Sequence, residues 1–142
     1  MSGTGESTVD FAGEERHFRI RLGEIRRIQD RCSAGIGEVL RRLSRCVGLV
    51  HKHGSGLDAL MAGLEIYADD VREPIYQGLC GAGMRSDEAT RLVRREIDDR
   101  GLVGVLDNAA AALAILWGSQ AVPEGEDQPG EPLAGESPAA TT

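Results

Sequence analysis

A chain of 142 residues with 41% hydrophobic and 27% charged residues is long enough for one domain with its own core, and it excludes a fully unstructured chain. Aromatics make up only 4%, so the core is built from Leu, Ile, Val and Ala, a composition of packed helices rather than of a β-sandwich. The net charge of −7 is uneven: residues 123–142 hold five acids (Glu124, Glu126, Asp127, Glu131, Glu136) and no base, leaving 18 acids against 16 bases elsewhere.

The polar opening reads as neither a secretory signal nor a membrane span. The longest apolar run, Ala109 to Trp117, is shorter than the ~20 residues a spanning helix needs. Cys32, Cys46 and Cys80 cannot all pair within one chain and form no C-x-x-C, which suits a cytosolic protein with reduced thiols.

Residues 1–6 read as a loose start. Val9 and Phe11, then Phe18, Ile20 and Leu22, alternate with polar residues on either side of a short turn in AGEE, which predicts a β-hairpin over 7–22. From residue 23 to 119 the period becomes helical. Leu22, Ile25 and Ile28 suit a short helix; Ile36, Val39, Leu40, Leu43 and Val47 give a longer one. HKHGSG at 51–56 reads as a breaker, and Leu57, Leu60, Met61 and Leu64 as another stripe.

ADDVREP predicts a helix start, with Asp69 or Asp70 as N-cap, Glu73 completing a capping box and Pro74 near the first turn. Val71, Ile75 and Leu79 form its buried side, and the glycines of GLCGAGM end it. Ser86 caps the next helix, which buries Leu92, Val93 and Ile97 and stops at Gly101. The last helix, from about Leu102 to Trp117, turns Leu102, Val105, Leu106, Ala109, Leu113 and Leu116 inward. Residues 120–142, rich in Pro, Gly and Glu, cannot bury enough apolar surface to order themselves. The fold class is thus mainly α with a small N-terminal β-hairpin, about five short helices in one domain over 7–119, and a disordered acidic tail.

No catalytic or cofactor constellation emerges. Gly78, Gly81 and Gly83 lack the Lys-Ser/Thr pair of a phosphate loop and close a helix instead of opening one. They read as a left-handed helix stop with a close helix contact at Gly78. His51 and His53 with Cys46 lack a fourth metal ligand at any recognised spacing, and neither a Cys/His nor a carboxylate signature supports an enzyme. Arg26, Arg27, Arg31, Arg41, Arg42 and Arg45 lie on two consecutive helices, but the folded part is net acidic and carries no recognition-helix pattern, which weighs against nucleic acid.

QGLCGAGM followed by SDEA, and RIRLGEIRRIQDR as a second anchor, resemble the tail assembly chaperone family of gene transfer agents and tailed-phage operons, also catalogued as gene transfer agent phage tail tube proteins. The likeness covers roughly residues 7–119 and is weakest over 47–67, which are longer than the family's usual link. The resemblance implies a fold and a role without catalytic residues: binding of the tape-measure protein, and of tube subunits, during assembly. Ile75, Leu79, Gly78, Gly81 and Gly83, with Leu113, Leu116 and Trp117 of the last helix, are the candidate partner-binding residues. A structural tube subunit is the first alternative, although a tube ring needs several long strands and one hairpin is legible. A small nucleic-acid-binding regulator is the second. Homo-oligomerisation is left open, and no cofactor, metal or membrane partner is expected.

Overall fold

The computed structural model describes residues 5–120; of the expected loose start 1–6, residues 1–4 lie outside the described residues while Glu6 already begins a strand, and of the expected tail all but the helical Gln120 lies outside them. Two strands open the chain, β1 (Glu6–Phe11) and β2 (Glu14–Arg19), paired antiparallel with Phe11 opposite Glu14 and Glu6 opposite Arg19. Ala12 and Gly13 form the two-residue turn, both at positive φ (56° and 85°), as a hairpin turn matched to the right-handed twist of its strands requires. The hairpin is shorter than 7–22: Leu22 already belongs to a helix and is exposed.

Six helices follow: α1 (Leu22–Cys32), α2 (Ile36–His53), α3 (Gly56–Met61), α4 (Ala68–Gly81), α5 (Ser86–Glu96) and α6 (Leu102–Gln120), with a 3-10 turn at Asp98–Arg100 before α6. The mainly helical fold with an N-terminal hairpin is as expected. The helix α4 is the hub. It packs against β2, α1, α2, α5 and α6, and eight of its fourteen residues are buried. The two sides of the hairpin flank the two most buried helices, since β2 lies on α4 and β1 lies on α6.

Glycines set the contact between α4 and the hairpin. A Cβ at Gly78 would stand 2.9 Å from Phe18 Cδ2, and one at Gly81 would overlap the carbonyl oxygen of Arg19. The expected close approach at Gly78 is therefore present, and it is closer still at Gly81. It lets the fully buried Phe18 and Ile20 reach the core, where each contributes about 2 kcal/mol of apolar burial. Beyond Gly81 the chain turns as expected, with Gly83 at φ 108° and the Met84 amide donating to the Leu79 carbonyl at 3.0 Å.

Several local expectations are corrected by tertiary contacts. The helix α2 runs through His51 to His53 and stops at Gly54 (φ 84°), so the two histidines sit in its last turn, not in a loop. Segment 47–67 is the end of α2 plus the six-residue α3, and Leu57 and Met61 face solvent. At α4, Tyr67 occupies the N-cap position and Pro74 lies in the helix body, seven residues in. Asp70 and Glu73 are not caps; both are buried ion-pair partners. For α5 the cap position is Arg85, and Ser86 is its first residue. The helix α6 extends to Gln120. It buries Ala112 and Ile115 in addition to Val105, Ala109 and Leu116, while Leu102 is exposed.

Candidate interaction groove

Helix α6 is apolar on every side. Its length and mean hydropathy of 1.5 match a membrane-crossing helix, yet only 39% of that 18-residue window is buried. One side, carrying Val105, Ala109, Ala112 and Leu116, packs on α4, β1 and α2. A flanking side carries Val103, Leu106, Ala110, Leu113 and Trp117 at alternating steps of three and four, the seam spacing of a helix that pairs with another helix; of these, Leu106 and Leu113 are half-buried against the core. Val103 is 51% exposed and Trp117 68% exposed. An amphipathic surface helix covers its apolar stripe and wets a polar one; α6 leaves the apolar Val103, Ala110, Ala114 and Trp117 in water.

Helix α2 lies along one flank of that stripe. Gly56, just past the end of α2, meets Leu106 so closely that a Cβ there would come within 2.7 Å of Leu106 Cδ1. The two helices therefore run antiparallel. Between them is an open hollow of about 560 Å³, floored from α6 by Ala110, Leu113, Ala114 and Trp117. Leu40, Ser44 and Val47 of α2 form its other wall, with Arg41 at the rim. The small Ala110, Ala114 and Ser44 make the hollow, and Trp117 makes the raised end.

The eight residues expected to bind a partner do not gather in one place. Ile75, Leu79, Gly78 and Leu116 are buried in the domain's own core. Gly81 is seated against the hairpin, and Gly83 is exposed in the turn after α4. Leu113 and Trp117 stand in the groove. The residues sequence reasoning missed are Leu40, Ser44 and Val47, because an i, i+3, i+4 stripe does not tell a residue at its half-buried margin from one at its centre. A legible signal did exist: α6 is more apolar than a helix with one packed side needs to be.

Beneath the groove, α2 is pinned to α4 by ionic contacts. Arg42 donates to both carboxylate oxygens of Asp70, at 2.8 Å from Nε and 2.7 Å from Nη2, and its guanidinium stacks 4.3 Å from the Tyr67 ring centroid. Asp70 is 2% exposed. Bonding to Asp70 raises the Arg42 pKa, so the guanidinium keeps its charge. Glu73, also buried, is held by Arg72 at 3.1 Å, with Gln77 donating to its other oxygen at 3.4 Å and Arg31 further off at 3.9 Å. Arg72 reaches on to Asp98 at 3.0 Å. Of the six arginines noted on α1 and α2, Arg27, Arg31, Arg41 and Arg42 thus have acidic partners within the domain.

Bond-making chemistry has little support in this arrangement. Burial, reinforced by Asp70, pushes the Cys32 thiol up to about 12, and its Sγ donates to the Asp69 carbonyl at 3.3 Å. Burial likewise raises Cys46, which faces the core, so neither thiol supplies a thiolate at neutral pH. No three of His, Cys, Asp and Glu gather as a metal site would need among the described residues. What the hollow offers is apolar contact with one charged residue, Arg41, at the rim.

The fold and the groove together are those of a small helical module with an unfilled apolar face. By sequence it is a phage tail protein: the profile of the phage tail tube protein, GTA-gp10 family matches residues 4–119, and the chain belongs to that family. No curated protein and no solved structure matches it significantly.

Proposed function

We propose that this protein is a non-enzymatic tail assembly chaperone that binds apolar helical segments of the tape-measure protein in the cytoplasm while a phage-like particle is built. The observation that carries the reading is the open apolar hollow between α2 and α6, lined by Leu40, Val47, Leu113 and the exposed Trp117. A tape-measure chain is long and helical, and before the tube closes round it its apolar faces stand in water. The hollow runs from Ala110 to Trp117 of α6, about 10 Å, and would cover roughly two helical turns per copy. Membership of a phage tail family supports a tail-protein partner.

A structural tube component is a second reading, favoured by the family's description. Against it, both strands are six residues long and pair only with each other among the described residues, too little sheet for a ring. Co-expression with the tape-measure gene separates the two. The chaperone reading expects that protein to become soluble and to co-purify, and to lose both with Trp117→Ala. Failure of rescue, together with stoichiometric amounts of this chain in finished particles, establishes the tube component instead.

A further inference from the structure

The two rims of the groove differ in charge. On the α2 side, Arg41 stands at the rim of the hollow, and Arg45 and Lys52 follow it at helical spacing on the same side of α2, all exposed. Arg41 is balanced only by Glu38 at 3.1 Å, itself half in water. Arg45 and Lys52 carry no ion pair among the described residues. On the α6 side the stripe from Val103 to Trp117 contains one charge, Asp107, and Arg100 already holds it. The groove is therefore apolar along its floor, basic along one edge and neutral along the other.

We infer that the segment seated in this groove is an amphipathic helix with an apolar i, i+3/i+4, i+7 stripe and an acidic flank on one side, the side that meets Arg41 and Arg45. This deepens the proposed function and rests on its premise that the groove takes a helix. The apolar stripe would supply most of the affinity, while the flank supplies choice among apolar helices and speed of encounter. A one-sided flank also fixes direction. Turning a helix end for end moves its acidic edge to the opposite rim, so only one polarity satisfies the arginines. A second copy of this chain is a poorer occupant. Its α6 brings the apolar stripe but only the engaged Asp107, and its α2 brings more positive charge to the same edge.

Trp117 is the sole tryptophan, so its emission reports occupancy without a label. The full chain would be titrated with two synthetic helices of about 20 residues that share one leucine stripe, one flanked by Glu and the other by Lys. The inference expects a blue shift of Trp117 and about tenfold tighter binding of the Glu-flanked helix at low salt, a margin that narrows at 0.5 M salt. In the Arg41→Glu/Arg45→Glu variant the preference should invert. Equal binding of both helices overturns the acidic flank and leaves the groove as a helix site. Binding of neither overturns the groove itself, and the proposed function with it. A concentration-dependent Trp117 shift with dimer formation, or a shift on phosphatidylcholine vesicles alone, overturns the inference in favour of a second copy or a membrane surface.

Discussion

Arg42 grips the buried carboxylate of Asp70 with two hydrogen bonds, 2.8 Å from Nε and 2.7 Å from Nη2, and so ties the middle of α2 to the first turn of α4. This contact holds one wall of the groove against the hub of the fold. Arg42→Ala would leave the Asp70 carboxyl, 2% exposed, without its ion-pair partner, a loss of about 3–5 kcal/mol. Removing both partners together, as Arg42→Met/Asp70→Leu, should recover much of that loss. Urea unfolding of the three proteins checks the ordering; a single variant as stable as the wild type refutes it.

The three glycines near the end of α4 should respond unequally to alanine. At Gly81 the new methyl meets the Arg19 backbone carbonyl, which cannot move without breaking the hairpin contact, and a loss of about 3 kcal/mol is expected. At Gly78 it meets the Phe18 ring 2.9 Å away, and a ring can shift, so about 1–2 kcal/mol is expected. Gly83 has open space but a φ of 108°, which costs about 1 kcal/mol for any other residue. Thermal midpoints should fall in that order.

Leu116 and Trp117 are neighbours with opposite duties. Leu116 is fully buried, and Leu116→Ala should cost about 2–5 kcal/mol. Trp117 is 68% exposed, so Trp117→Ala should stay within about 0.5 kcal/mol of wild type while abolishing binding of an apolar helix. Denaturation and peptide titration on the two variants decide this. Equal destabilisation, or binding unaffected by Trp117→Ala, contradicts it.

Alkaline pH should weaken the fold through Cys32. Its thiol pKa rises from 9.0 to about 12 on folding, so above pH 9 the unfolded chain loses the proton first. The unfolded state then binds fewer protons than the native state, and stability falls as pH rises from about 9 toward 12. Below pH 9 the contribution is fully present. Urea midpoints at pH 8, 9 and 10 should decline less steeply for Cys32→Ala than for wild type.

Ala12 holds a φ of 56° in the hairpin turn, a value that asparagine tolerates far better than alanine. Ala12→Asn should raise stability by about 0.5–1 kcal/mol without altering the register of Phe11 with Glu14. A fall in melting temperature rules this out.

Where a local pattern and the tertiary environment agree, the sequence alone was sufficient. Alternation at Val9, Phe11, Phe18 and Ile20 around Ala12-Gly13 marks the hairpin because a strand's faces repeat every two residues whatever packs on them. Val71, Ile75 and Leu79, and then Gly83, mark a buried helix and its stop for the same kind of reason. Family membership too is written in the chain, over residues 4–119. The tertiary structure decided what periodicity leaves degenerate. Asp70 and Glu73 satisfy a capping pattern in sequence, but the proximity of Arg42 and Arg72 makes them the ends of buried ion pairs. Leu57 and Met61 fit an apolar stripe, yet the six-residue α3 has nothing packed over them. Most of all, the groove joins residues some 70 positions apart, Leu40 and Val47 to Ala110 and Trp117, through a pairing of two helices that no local window contains. Local sequence sets which face of each helix is apolar; only the packing of α6 on α4 and the hairpin decides which part of its apolar surface is left for a partner.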